Sequence, residues 1–255
     1  MGMDFLGKTI LISGAAGFIG FHLARHILVK SPLARVVALD SLNDYYDVSL
    51  KMDRLHMLQE TAIGADTGSF VFVKGNLADR PLVDSVFEEY RPDIIVNLAA
   101  QAGVRYSLSH PEAYIEANVV GFFHILEACR RLGAGHLIYA SSSSVYGNNK
   151  KVPYSTKDRT DRPVSLYAAT KKSDELLAYS YSKLYGIPMT GLRFFTVYGP
   201  FGRPDMAYFK FTDKLIKGEK IPVYNYGDMY RDFTYIDDIV QGIENVMNKA
   251  PEPDD

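Results

Sequence analysis

Tryptophan is absent from this 255-residue chain, cysteine occurs once, and neither sign of charge predominates. Each shortage excludes something. The lone thiol, Cys129, has no partner for an internal disulfide, which fits a reducing compartment and points to the cytoplasm. Its setting, HILEACRRLG, reads as a helix, so a buried structural thiol is expected rather than a nucleophile. Lys and Arg number 28 against 30 Asp and Glu, a net charge of −2. The basic footprint of a nucleic-acid or anionic-membrane binder is therefore missing, and neither partner is expected. No apolar run approaches the roughly 18–20 residues that span a bilayer. The opening MGMDFLGKTILIS carries an acid early and enters a strand pattern at once, unlike a signal peptide. No internal repeat is present, and the only low-complexity patch is the serine run Ser141–Ser144.

What remains is ordinary globular material, 47% hydrophobic and 23% charged, enough for one large domain or one and a half. Short β-branched runs alternate with helical ones. TILIS (Thr9 to Ser13), VVAL before Asp40, FVFV from Phe70, DIIVNLAA from Asp93 and HLIYAS from His136 read as strands. Each is followed by a stretch long enough for a crossover helix, the first being Phe18 to Lys30. Apolar runs without alternation indicate a parallel sheet covered on both faces, and this rhythm predicts an α/β doubly wound parallel sheet of Rossmann type. After about residue 196 Gly and Pro accumulate. A helix is expected from Ala207 to Lys217, a short strand from Ile221 to Tyr224, and a last helix from Asp237 to Asn248.

Gly14, Gly17 and Gly20 form GxxGxxG between the first strand and its helix. Glycine lets the backbone turn tightly and approach a pyrophosphate, whose charge then rests on the helix N-terminus. Asp40 ends the second strand, where an acid can accept from both ribose hydroxyls and repel a 2′-phosphate. NAD is therefore expected over NADP. Tyr167 and Lys171 lie one turn apart on a predicted helix. A phenol, with a pKa of about 10, is a poor base at neutral pH, and a nearby ammonium favours its ionised form. Ser141 to Ser144 bring hydroxyls to the carboxyl edge of the sheet, where such folds bind ligands. His22 and His26, four apart, have metal-ligand spacing but no glutamate between them; a solvated helix face is expected, and no metal.

SGAAGFIG, LAAQAGVRYS, ANVVGF, SSSSVYG, YAATKK, RFFTVYGP and YRDFTYIDD together give the chain a family resemblance over essentially its whole length. It resembles the extended short-chain dehydrogenase/reductases, in particular the NAD-dependent nucleotide-sugar epimerases. LNDYYDVSLK and RFFTVYGPFGRPDMA look most like UDP-glucuronate 4-epimerases. The resemblance implies 4-epimerisation of a UDP-sugar by a resident NAD through a transient 4-keto sugar, in a homodimer. It implies an NAD-binding domain over residues 1–195, holding the catalytic Ser, Tyr and Lys, and a partial sugar-nucleotide lobe over 196–255, since relatives continue beyond Asp255.

Residue by residue, the resemblance makes Ser142, Tyr167 and Lys171 catalytic, with Lys171 also on the ribose, and puts Ser143 and Ser144 at the sugar. Phe18 and Ile19 would flank the pyrophosphate, and Asn43 would lie near the adenosine. Leu77, Ala99, Ala100 and Gln101 would run along the cofactor, and Asn118 would support the site from behind. Asn76 stands where relatives carry Asp by the adenine, and Asn97 where they carry His. Arg231 would grip the diphosphate, Tyr224 would stack near the uracil, Arg105 would lie by the substrate, and Thr196 and Arg203 would approach the sugar carboxylate.

Blander readings make Arg231 a surface partner of Asp228 or Asp232, Arg203 a loop cation, and the tyrosines of 224–235 lobe packing. Four rivals follow. UDP-glucose or UDP-N-acetylhexosamine epimerases often carry Asn at the position of Thr196. Nucleotide-sugar 4,6-dehydratases place Asp-Glu where Ser143-Ser144 stand. A non-catalytic NAD-binding protein would not need the Ser–Tyr–Lys set, which is intact here.

Overall fold

The computed structural model describes residues 5–64, 70–223 and 225–252. β1 (Thr9–Ser13) leads through the glycine loop into α1 (Phe18–Lys30), then β2 (Arg35–Asp40), α2 (Val48–Gly64), β3 (Phe70–Lys74), α3 (Arg80–Tyr90) and β4 (Ile94–Asn97). A helical stretch follows, made of α4 (Pro111–Tyr114), a π-helical turn (Ile115–Val120) and α5 (Gly121–Leu132). Then come β5 (His136–Ser142), α6 (Leu166–Tyr185) and β6 (Met189–Phe194).

These six strands form one parallel sheet in the order β3-β2-β1-β4-β5-β6. Both faces are covered, which is why its central strands are apolar throughout. One core gathers Ile10, Ile12, Val36, Val96 and Ile138 beneath Phe21, Leu23 and Ile27 of α1 and Leu55 and Leu58 of α2. The other gathers Leu11, Val37, Ile95 and Leu137 beneath Phe87 of α3 and Phe122, Ile125 and Cys129 of α5. The spacing of that last set puts the three side chains on one stripe of the helix. Cys129 is buried, and burial pushes its thiol up to about 12.

The sixth strand is the one the apolar pattern passes over, because Gly191 and Arg193 interrupt it. A second, two-stranded parallel sheet pairs β7 (Thr196–Tyr198) with β8 (Phe233–Tyr235), with α7 (Ala207–Ile216) between them in sequence. The final helix, α8 (Ile236–Met247), returns to the first core through Ile236, Val240, Ile243 and Met247. The strand expected from Ile221 does not form over 221–223, and Tyr224 lies outside the described residues. Val223 is exposed there and no described strand lies alongside, so its β-branched preference has no ladder to join. Among the described residues no helix is long and apolar enough to cross a membrane.

Candidate active site

The strand order reverses between β1 and β4, and a cavity opens at their carboxyl ends, the place where doubly wound sheets take ligands. Gly14, Gly17, Phe18, Ile19 and Gly20 line it after β1, Asp40 and Asn43 after β2, and Asn76 and Leu77 after β3. Ala99, Ala100 and Gln101 follow β4, and Ser142, Tyr167, Lys171 and Arg203 complete the wall.

The glycines are fixed by close approach. Gly14 has φ +70, and a Cβ there would meet the Ala99 nitrogen at 2.7 Å; one on Gly20 would meet the Gly14 carbonyl oxygen at 2.2 Å. Gly17 caps α1 with no side-chain hydrogen bond, so the first-turn amides stay open towards the cavity. Asp40 holds the loop from the far side, accepting from the Ala16 amide at 3.0 Å and the Leu42 amide at 2.8 Å. Its carboxylate has lone pairs to spare for two ribose hydroxyls. Tight glycines, open helix amides and a strand-end carboxylate fit a dinucleotide. Asn43 is itself held by Lys51, whose ammonium donates to its side-chain oxygen at 2.6 Å. Asn76 uses its oxygen on the Ala78 amide at 3.0 Å and its nitrogen on Glu116 at 3.1 Å.

At the other end, Ser165 caps α6 by accepting from the Ala168 amide at 3.1 Å, which sets Tyr167 in the first turn. Tyr167 meets the ring of Tyr114 edge-on at 6.1 Å. The Tyr114 hydroxyl is spent on the Ala102 and Gly103 carbonyls, and burial pushes it up to about 12, whereas no hydrogen bond engages the Tyr167 hydroxyl among the described residues. Lys171 donates to the Ala140 carbonyl at 3.0 Å and to Asp174 at 3.1 Å. Ser142 Oγ accepts from the Ser144 amide at 3.1 Å and the Ser144 hydroxyl at 2.9 Å, leaving its own proton without an acceptor among the described residues.

Asn118 does not line the cavity. It is buried in the π-helical turn behind it, where such turns often serve a site. Its side chain accepts from the Gln101 amide at 2.8 Å and donates to the Gln101 carbonyl at 3.1 Å and to Thr170 Oγ1 at 3.0 Å. It thus locks the cofactor wall to the helix of Tyr167 and Lys171. Asn97 accepts from Ser13 Oγ at 2.5 Å inside the sheet and is structural.

The sugar-side residues are less gathered. Ser143 and Ser144 lie one step past the lining, in the 3-10 turn after β5, and Thr196 sits in β7, where its amide donates to the Asp232 carbonyl at 3.2 Å. Arg105 and Arg231 are exposed and off the cavity; Arg231 donates to its neighbour's carbonyl, Tyr230 O, at 2.8 Å. Arg203 is on the wall, forked onto Asp205 at 3.0 and 2.5 Å, and Asp205 also accepts from Tyr45 at 3.1 Å. Burial opposes the Arg203 charge, and the fork to Asp205 outweighs it, holding the guanidinium protonated.

His22 and His26 are not the solvated face that their sequence suggests. His22 Nε2 is 2.9 Å from the Pro200 carbonyl and His26 Nε2 is 3.0 Å from Glu244 of α8, so both rings tie α1 to later segments. The residues that sequence reasoning passes over are Tyr45, Lys51, Arg54, Tyr114, Asp174 and Asp205. Only Lys51 and Arg54 left a signal: cations three apart on the face of α2 that also carries Leu55 and Leu58.

A dinucleotide cradle facing a phenol and an ammonium defines an NAD-dependent enzyme acting on a hydroxyl-bearing substrate. Residues 10–255 match the model of the NAD dependent epimerase/dehydratase family, and the chain belongs to that family. It is 54% identical over 244 residues to Protein CapI of Staphylococcus aureus, covering 96% of this chain and 70% of that one. It is 49% identical over 241 residues to a probable UDP-glucuronate 4-epimerase of Rhizobium meliloti, covering 94% and 68%. The crystal structure of the UDP-glucuronic acid 4-epimerase of Bacillus cereus with UDP-glucuronic acid and NAD superposes with a TM-score of 0.86 at 32% identity, covering 96% and 74%.

Proposed function

We propose that the chain catalyses 4-epimerisation of UDP-glucuronate to UDP-galacturonate with NAD as its resident cofactor. The observation that carries this reading is convergence. Ser142, Tyr167 and Lys171 border the same cavity as the glycine loop and Asp40, with Arg203 on its wall. NAD, when bound, supplies hydride acceptance and return at carbon 4. Tyr167 takes the proton of the 4-hydroxyl and returns it to the same oxygen after the sugar ring has turned over. Lys171 stabilises the phenolate, Ser142 donates to the sugar oxygen, and Arg203 answers the sugar carboxylate. Asp40 selects NAD over NADP.

Residues 1–195 form the cofactor domain in this reading and 196–255 part of a sugar-nucleotide lobe; the boundary falls between the two sheets, while α8 rejoins the first core. A homodimer pairing through the stretch that holds Asn118 and the helix of Tyr167 is supported by the exposed apolar side chains Val120, Phe123, Leu176, Tyr179 and Leu184. A cytoplasmic location is supported by the single, buried cysteine.

Two observations favour a second reading. Arg203 already has a carboxylate, Asp205, and Thr196 stands off the cavity, which suits a neutral UDP-hexose better than an acidic one. Product analysis by NMR with UDP-glucuronate and UDP-glucose in parallel decides between them. Conversion of the acid alone supports the first reading, and conversion of the neutral sugar alone overturns it.

A further inference from the structure

Arg54 of α2 is fully buried, at 0% exposure, and no carboxylate pairs with it among the described residues. An isolated buried charge is expensive unless hydrogen bonds answer it. Its partners are oxygens from two loops and one phenol. Nη1 donates to the Ala16 carbonyl of the glycine loop at 2.8 Å and to the Tyr46 hydroxyl at 2.7 Å. Nη2 donates to the Phe201 carbonyl at 2.6 Å and more weakly to Gly202 at 3.4 Å.

Those last two residues precede Arg203. Phe201 holds φ +53, a conformation that side chains avoid, so this turn needs outside support. It receives it from three places. Arg54 takes the Phe201 and Gly202 carbonyls, His22 takes Pro200, and Phe201 packs edge-on against Phe21 at 5.5 Å. Ala16, whose carbonyl accepts from Arg54, is also held through its amide, which donates to Asp40.

We infer that Arg54 is a positioning residue for recognition of the sugar acid: its buried guanidinium fixes the turn that presents Arg203 against the loop that cradles the dinucleotide. This rests on the reading of UDP-glucuronate as substrate and Arg203 as the group facing its carboxylate. Lysine cannot replace it, because one ammonium cannot reach both loops with a planar fork.

The test compares the NAD-loaded wild type with Arg54→Lys and Arg54→Met. Dissociation constants for UDP-glucuronate and for UDP, which lacks the carboxylate, are measured by calorimetry, with thermal melts as the check on folding. Losing a charge-assisted contact costs about tenfold or more in affinity, so the variants are expected to lose about tenfold or more for UDP-glucuronate. They are expected to lose less than about twofold for UDP. Equal losses for both ligands, or no loss for either, overturn the inference. Should both variants fail to fold, His22→Ala, which frees only the Pro200 carbonyl of the same turn, carries the test with the same selective loss expected and the same outcomes overturning it. A wild type that binds UDP-glucuronate no better than UDP would instead defeat the substrate reading itself.

Discussion

The ammonium of Lys171 lies 3.1 Å from the carboxylate of Asp174, one helical turn away, with the two side chains 3% and 2% exposed. The second carboxylate oxygen of Asp174 has no hydrogen-bond partner among the described residues. Burial raises this carboxyl from the ordinary aspartate range to about 6, against the pull of Lys171. Because the folded value lies above the unfolded one, the stability that this group contributes is full below about pH 4 and is lost as pH rises through 6. Asp174→Asn carries no such loss. Its unfolding free energy relative to the wild type is expected to rise by about 2 kcal/mol between pH 4.5 and 7.5, measured by urea denaturation. A gap that stays constant with pH would contradict the assignment.

Asn118→Ala removes three hydrogen bonds from a buried site and leaves the Gln101 amide and carbonyl without partners. Unsatisfied buried groups cost about 1–3 kcal/mol each, so a loss of about 2–4 kcal/mol is expected. Denaturant midpoints measure it. Activity of whatever remains folded is expected to fall as well, because the wall at Gln101 and the helix of Tyr167 lose their common anchor.

Tyr167→Phe keeps the edge-on packing against Tyr114 and deletes only the hydroxyl. Turnover is expected to drop about 10²–10⁴-fold, the usual worth of a general base, with NAD affinity changed less than about threefold. Steady-state rates and fluorescence titration with NAD separate the two. Undiminished turnover would remove Tyr167 from the mechanism.

Cys129 is buried with its thiol pushed up to about 12. Thiolate is the reactive form, so the native protein is expected to resist a thiol-specific colour reagent at pH 8 and to release one equivalent only on unfolding in guanidinium.

Local features of this fold are legible in the chain. The glycine loop, Asp40 and the one-turn spacing of Tyr167 and Lys171 are legible because a tight turn, a strand end and a helical repeat each leave a short pattern. β6 is hidden by Gly191, yet that glycine has a reason: a Cβ there would stand 2.5 Å from the Tyr139 hydroxyl of the neighbouring strand. Arg54 is hidden more deeply. In KMDRLHML it reads as a helix-surface charge, and its partners at Phe201 and Gly202 lie 147 and 148 residues away. Asp174 likewise looks like a solvated helix acid until α6 is seen packed on β5. Pairings set by tertiary contact leave no local pattern to read. Family likeness named Thr196, Arg105 and Arg231, which the structure places off the cavity that the cofactor-side residues share.

The proposed reaction requires hydrogen to leave and return at carbon 4 of the sugar acid, and isotope tracing tests that most directly. Purified protein is incubated with UDP-glucuronate deuterated at carbon 4, and the products are read by NMR. The expected product is UDP-galacturonate with deuterium retained at carbon 4 and no net accumulation of NADH. Exchange of that deuterium with solvent, or absence of the galacturonate product, would contradict it.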